Sequence, residues 1–116
     1  MSTTKLPRER LARYFEDFTK RFLADGAGEK VDIEVLDRER GDQRAAAAVR
    51  LRGITYDTQS NALEFSLAAG DHRVYEPESV WVKEESDGFL SAIEVGRPDG
   101  AREVVTLRRA KSGVIG

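Results

Sequence analysis

From Gly28 onward the chain meets a turn signal about every 8–12 residues, and that spacing restricts the fold more than any other feature of the sequence. Arg40-Gly41-Asp42, Asp57-Thr58-Gln59-Ser60-Asn61, Ala69-Gly70-Asp71, Ser86-Asp87-Gly88 and Pro98-Asp99-Gly100 combine the residues that tolerate turn backbone. A crossover between parallel strands needs a dozen or more residues of its own, so segments this short must pair antiparallel. Between the turns the apolar period is two. Val31, Ile33 and Val35 alternate with Asp32, Glu34 and Leu36, and Leu63, Phe65 and Leu67 alternate with Glu64 and Ser66. Ala45 to Tyr56 reads as one long extended segment with a bulge or sharp bend at Gly53. His72–Tyr75 is short and is stopped by Pro77, and Val80/Val82, Phe89–Val95 and Glu103–Leu107 complete six or seven strands.

Ahead of Gly28 the period is 3.6. Leu11, Tyr14, Phe15, Phe18 and Phe22 mark one face of a helix. Glu9/Arg13, Arg13/Asp17, Glu16/Lys20 and Asp17/Arg21 place opposite charges four apart, as on an exposed face. Pro7 fits the first turn, and Gly26 fits a left-handed cap at the helix end. The stripe holds four of the chain's nine aromatics. Each such ring buries on the order of 150–250 Å², so the stripe must cover the sheet or close an interface. The expected class is α+β: an N-terminal helix packed on an antiparallel sheet. A bent second strand would allow curling into a small SH3-like or Sm-like barrel; the alternative is an open sheet with the helix laid across it.

At 116 residues the chain has room for one core, expected over 6–109, with 110–116 as a flexible tail. The absence of cysteine removes disulfides, thiolate metal sites and cysteine nucleophiles, and suits the cytoplasm. No stretch approaches the roughly 20 apolar residues of a membrane span, and the N-terminus lacks an apolar signal region.

Formal charge is −2, which argues against bulk attraction to nucleic acid or anionic lipid. Its distribution is uneven. Residues 1–22 carry six cations against three acids, residues 97–116 five against two, and residues 76–94 six acids against one lysine. Arg50, Arg52, Arg73, Arg97 and Arg102 read as scattered. Should the two termini meet in space, a modest basic patch would lie opposite an acidic face.

Three residues stand out as interaction candidates: Trp81, Tyr75 and His72. Trp81 points away from Val80 and Val82 if its strand alternates, and large aromatics dominate interface energetics. Tyr75 and Trp81 could stack on bases, although Glu76, Glu78, Glu84 and Glu85 repel phosphate. His72, the single histidine, sits beside Asp71 in the setting of a surface loop, where an acid or base role would need a second titratable group. Glu84, Glu85 and Asp87 form an acidic turn without calcium-loop spacing, at best a weak divalent site. The glycines of Asp25–Lys30 follow a helix and precede a strand, the reverse of a phosphate-binding loop. No catalytic, metal or cofactor-binding residue is assigned.

Leu6-Pro7-Arg8-Glu9 with Tyr14-Phe15-Glu16-Asp17-Phe18 resembles the N-terminal helix of a bacterial family of small uncharacterised proteins, a domain of unknown function. In the same order follow Val31-Asp32-Ile33-Glu34-Val35, Leu51-Arg52-Gly53-Ile54-Thr55-Tyr56-Asp57, Gly70-Asp71-His72 through Val80, the Asp99-Gly100 turn and Val105-Thr106-Leu107-Arg108. The resemblance implies a single-domain bacterial protein and no activity. The expected role is a non-enzymatic binding or assembly module with a protein partner or a second copy. The alternatives are a small-barrel nucleic-acid-binding protein and, behind it, an enzyme using His72.

Overall fold

A computed structural model describes residues 2–24 and 28–109, and among these it contains eight strands and one helical segment. The strands are β1 (Ser2–Lys5), β2 (Lys30–Leu36), β3 (Gln43–Asp57), β4 (Ala62–Leu67), β5 (Gly70–Tyr75), β6 (Ser79–Glu84), β7 (Leu90–Gly96) and β8 (Arg102–Arg108). Every pairing is antiparallel, in the order β1-β6-β7-β8-β2-β3-β4-β5. The barrel alternative is not realised. β1 and β5 remain as two separate edges, and the curl stops short of pairing them.

The strand beyond the expected six or seven is β1, which precedes the helix and pairs with β6 through Thr4↔Val82 and Lys5↔Trp81. Its Ser-Thr-Thr-Lys sequence is exposed throughout, so it carries no apolar alternation to read. Leu6 then donates its amide to Val80 O at 2.9 Å and turns inward, where it is buried.

The helix begins later than expected and changes pitch twice. Pro7 is extended (φ −68°, ψ 150°) and stands before the first turn rather than in it. A 3₁₀ turn at Arg8–Arg10 leads into α1 (Leu11–Phe18), which widens to a π-turn at Thr19–Leu23. Leu11, Phe15 and Phe18 are buried as the stripe requires, whereas Tyr14 and Phe22 are half-buried. In a π-turn, residues five apart rather than four share a face. Leu23 therefore follows Phe18 into the core, and Phe22 is displaced to its margin. The cap expected at Gly26 and the tail at 110–116 lie outside the described residues.

The widened turn faces the bend in β3. β2 ends its pairing with β3 at Lys30↔Arg50, so β3 beyond Leu51 has an open edge on that side. Thr19 Oγ1 closes it, accepting from Ile54 N (3.0 Å) and donating to Ile54 O (3.1 Å). The expected irregularity at Gly53 is present as a register shift between Leu51 and Gly53. A Cβ on Gly53 would stand 3.4 Å from Thr19 Cγ2, at the edge of ordinary van der Waals contact, so Thr19 packs directly over this position.

A second distortion, which no turn residue announces, lies in Ala45–Ala48. Pairing moves from Val31↔Val49 to Ile33↔Ala46 and then to Glu34↔Arg44, so β3 carries extra residues twice within one short run. Ala48 is left-handed (φ 51°), and its amide donates to Asp32 Oδ1 at 2.7 Å. Alanine gives up roughly 1–2 kcal/mol in that conformation.

One face of the curled sheet, with the helix laid against it, encloses the core. Val31, Ile33, Leu63, Phe65, Val80, Val82, Leu90, Ile93, Val95 and Val105 are fully buried. Phe18, Phe22 and Phe89 close the helix side as a triangle of rings 5.1, 5.5 and 5.8 Å apart.

Candidate functional site

His72 is not a loop residue. It lies in β5 opposite Phe65, with its side chain turned to the inner face. Its Nε2 is 2.5 Å from Glu103 Oε1, on β8, and only 23% of the side chain is exposed. Glu103 occupies an inward position between Ala101 and Val105 and is buried. Arg97 Nη1 reaches its other oxygen at 3.2 Å, and Arg97 Nη2 holds Asp99 at 2.5 Å. The Asp99 contact is the main reason Arg97 is held above its ordinary guanidinium value. His72, Glu103, Arg97 and Asp99 thus form one connected cluster that compensates a carboxylate inside an apolar layer. Among the described residues no buried side-chain nitrogen or oxygen lacks a partner.

The acidic turn is likewise occupied by the protein itself. Arg109 bridges Glu85 Oε1 (3.0 Å) and Asp87 Oδ2 (2.6 Å) while its guanidinium sits 4.3 Å over the Phe89 ring. That guanidinium, with the Phe89 amide, holds the Asp87 carboxyl below the usual carboxylate range. Arg21 donates to Asp87 O (3.0 Å), packing on the backbone at Gly88, whose φ of +94° suits glycine. Tyr14 donates its hydroxyl to Glu84, and burial followed by that contact pushes the phenol well above its ordinary value. The turn's carboxylates Glu85 and Asp87 are thus paired by Arg109 from the end of β8. Among the described residues no group of three or more His, Asp or Glu is placed to hold a metal.

Among the described residues, Tyr75 and Trp81 are the two large apolar side chains that remain exposed, at 58% and 39%. Tyr75 lines a groove of about 660 Å³ with Thr55, Asp57, Gln59, Glu64 and Arg73 beside the β3–β4 turn. Arg73 there is tied to Glu64 at 2.5 Å. Trp81 is not part of that groove. It lies in the outward row Lys5↔Trp81↔Glu94↔Val104↔Glu34↔Arg44, read through successive registers.

The same alternation identifies the rest of this outer face. Residues in phase with that row are Thr3 on β1, Ser79 and Lys83 on β6, Ala92 on β7, Arg102, Thr106 and Arg108 on β8, Lys30 and Asp32 on β2, and Arg50, beyond the bulges, on β3. The face therefore collects seven cations against three carboxylates, a local balance of +4 on a chain of net −2. Two of the carboxylates are taken within the face: Glu94 by Arg102 (2.8 Å) and Asp32 by Arg108 (3.4 Å). Lys5, Lys30, Lys83 and Arg44 are exposed and make no ion pair. Of the cations that look scattered along the sequence, strand order brings Arg50 and Arg102 onto the face that carries Trp81, whereas Arg73 lies beside Tyr75 and Arg97 is tied to Glu103.

With this geometry established, comparison with known proteins places the chain. A family model described as "Family of unknown function (DUF5335)" matches residues 2–114. The chain belongs to this family. A relative in the bacterium Aquifex aeolicus (strain VF5), an "Uncharacterized protein", is 32% identical over 111 residues, covering 95% of this chain and 96% of its own. No solved structure matches the chain significantly. The DUF5335 match spans everything from β1 to β8, so the edge strand, the helix and both faces of the sheet belong to the family's own region. Membership carries no assigned activity. No helix among the described residues is long and apolar enough to cross a membrane.

Proposed function

We propose that this chain is a non-enzymatic binding module of the bacterial cytoplasm whose outer sheet face takes an acidic macromolecular partner, with Trp81 as the anchor. The observation that carries this reading is the +4 face of β1, β6, β7, β8, β2 and β3 with an exposed tryptophan in it. Burying a tryptophan at an interface contributes more than burying most other side chains, and uncompensated lysines steer an oppositely charged partner. Two copies of this chain meeting face to face would set like charges against each other, which disfavours self-association through this surface. The His72 reading is weaker because that side chain is already tied to Glu103 on the inner face.

Photo-crosslinking in the bacterial cell tests the reading. A benzoylphenylalanine placed at position 81 or 104 should give adducts, and one placed at Thr58 in the β3–β4 turn should give few. Equal yields at all three positions, or none at 81 and 104, would refute the proposal.

A further inference from the structure

The geometry points to a single-stranded nucleic acid as the partner of the outer face, an assignment that rests on the binding role proposed above and narrows it. Lys5, Lys83, Lys30 and Arg44 are the cations of the face that make no ion pair, and they do not converge. Lys5 is on edge strand β1, directly opposite Trp81, and Lys83 is two residues along β6. Lys30 and Arg44 lie on β2 and β3, three and four strands beyond β6. With neighbouring strands about 4.8 Å apart, the charges extend over roughly 24 Å from β1 to β3. A small phosphate needs donors gathered around one point. Two free cations at the β1/β6 end and two at the β2/β3 end, with Glu94 (held by Arg102) and Glu34 between them, suit an extended chain of phosphates instead.

The aromatic decides between kinds of polyanion. Trp81 stands on an open face, flanked by Lys5 on one side and Glu94 on the other, where a planar ring can take a base. Base stacking on aromatics tolerates any sequence, but the base must be free of its own stack, as it is in a single strand and not in a duplex. Thr3 and Thr106 add hydroxyls to the same face, able to donate to phosphate oxygens. A tryptophan also partitions into the headgroup region of an anionic lipid surface, so vesicles are the competing arm of the test.

Trp81 is the sole tryptophan, so its emission reports directly on the site. The full-length chain is titrated with a mixed-sequence 12-nucleotide single strand, as DNA and as RNA, and with the corresponding DNA duplex, in 50 mM and 200 mM salt. Either single strand should quench the emission and bind more tightly than the duplex. With four phosphates neutralised, affinity should fall about fifty-fold between the two salts, since the slope is roughly −0.7 per phosphate for single strands. Lys5→Glu with Lys83→Glu should cut that slope by about half. Trp81→Ala, followed by anisotropy of a labelled strand, should weaken binding about 5- to 150-fold, the range for losing one stacking aromatic.

Absence of both quenching and anisotropy change at 50 mM salt overturns the assignment. So does tighter binding of duplex, indifference to the charge reversals, or binding only to vesicles of anionic lipid. The position-81 crosslinks separate this failure from that of the broader role. Adducts that survive nuclease and resolve as protein conjugates leave the contact face standing and remove nucleic acid as its partner.

Discussion

The two faces of the sheet treat their polar side chains in opposite ways. On the inner face, Glu103 is buried among valines and its carboxylate is held by His72 at one oxygen and Arg97 at the other, with Asp99 behind Arg97. On the outer face, Trp81 is 39% exposed and four cations of that face make no ion pair. The most reactive-looking residue of the sequence, the lone histidine, is thus a member of the structural cluster. The surface with unsatisfied binding capacity is made of residues that individually look ordinary. A titratable group that already has partners stabilises the fold, whereas an aromatic and cations without partners are available for binding.

That contrast can be broken most severely from the inside. Phe18 is 4% exposed and packs on Phe22 and Phe89. Phe18→Asp should unfold the domain, since truncating a buried aromatic alone costs about 3–5 kcal/mol and a buried charge adds to it. Circular dichroism of the variant at 25 °C would show lost sheet signal; a native spectrum with unchanged melting temperature would make the helix an appendage. Next, Glu103→Ala should cost about 3 kcal/mol, the low end for breaking a buried pair because Arg97 is partly exposed and can turn to water. Urea titration measures it, and a loss under about 0.5 kcal/mol would mean the cluster contributes little.

A pH experiment probes the helix–sheet junction. The Tyr14 phenol is raised in the folded state, so on alkalinisation the unfolded chain loses its proton first. The contribution is therefore fully present below the ordinary tyrosine value near 10 and declines as pH rises toward the folded value. Stability should fall across that alkaline range, and Tyr14→Phe should flatten the decline; an unchanged slope in the variant would place the effect elsewhere. The smallest effect is a gain. Ala48→Gly relieves a left-handed alanine at φ 51° but makes the unfolded chain more flexible, for a net of about 0.5 kcal/mol and a melting temperature about 2 °C higher. A lower melting temperature would show that the bulge is not strained.

Much of the architecture is legible in the sequence because it depends on local periodicity. The Leu11/Phe15/Phe18 stripe, the alternations in β2, β4 and β8, and the irregularity at Gly53 all follow from patterns within a few residues. What stays hidden depends on partners far along the chain. β1 is polar and gains strand structure only through β6, about eighty residues on. Leu23 enters the core because of a π-turn that no side-chain pattern marks. His72 and Glu103 meet only through the curl of the sheet, 31 residues apart. The cationic face is the plainest case. Each member alternates correctly within its own strand, but the order β1-β6-β7-β8-β2-β3 is what sets Lys5, Lys83, Lys30 and Arg44 on one surface.

The difference between the two faces can be measured in a single comparison: the affinity of His72→Ala and of Trp81→Ala for the labelled single strand at 50 mM salt. An outer-face contact site predicts that His72→Ala stays within about twofold of the unaltered chain while Trp81→Ala loses about 5- to 150-fold. A loss confined to His72→Ala, with Trp81→Ala binding normally, would contradict it and move the site to the inner face.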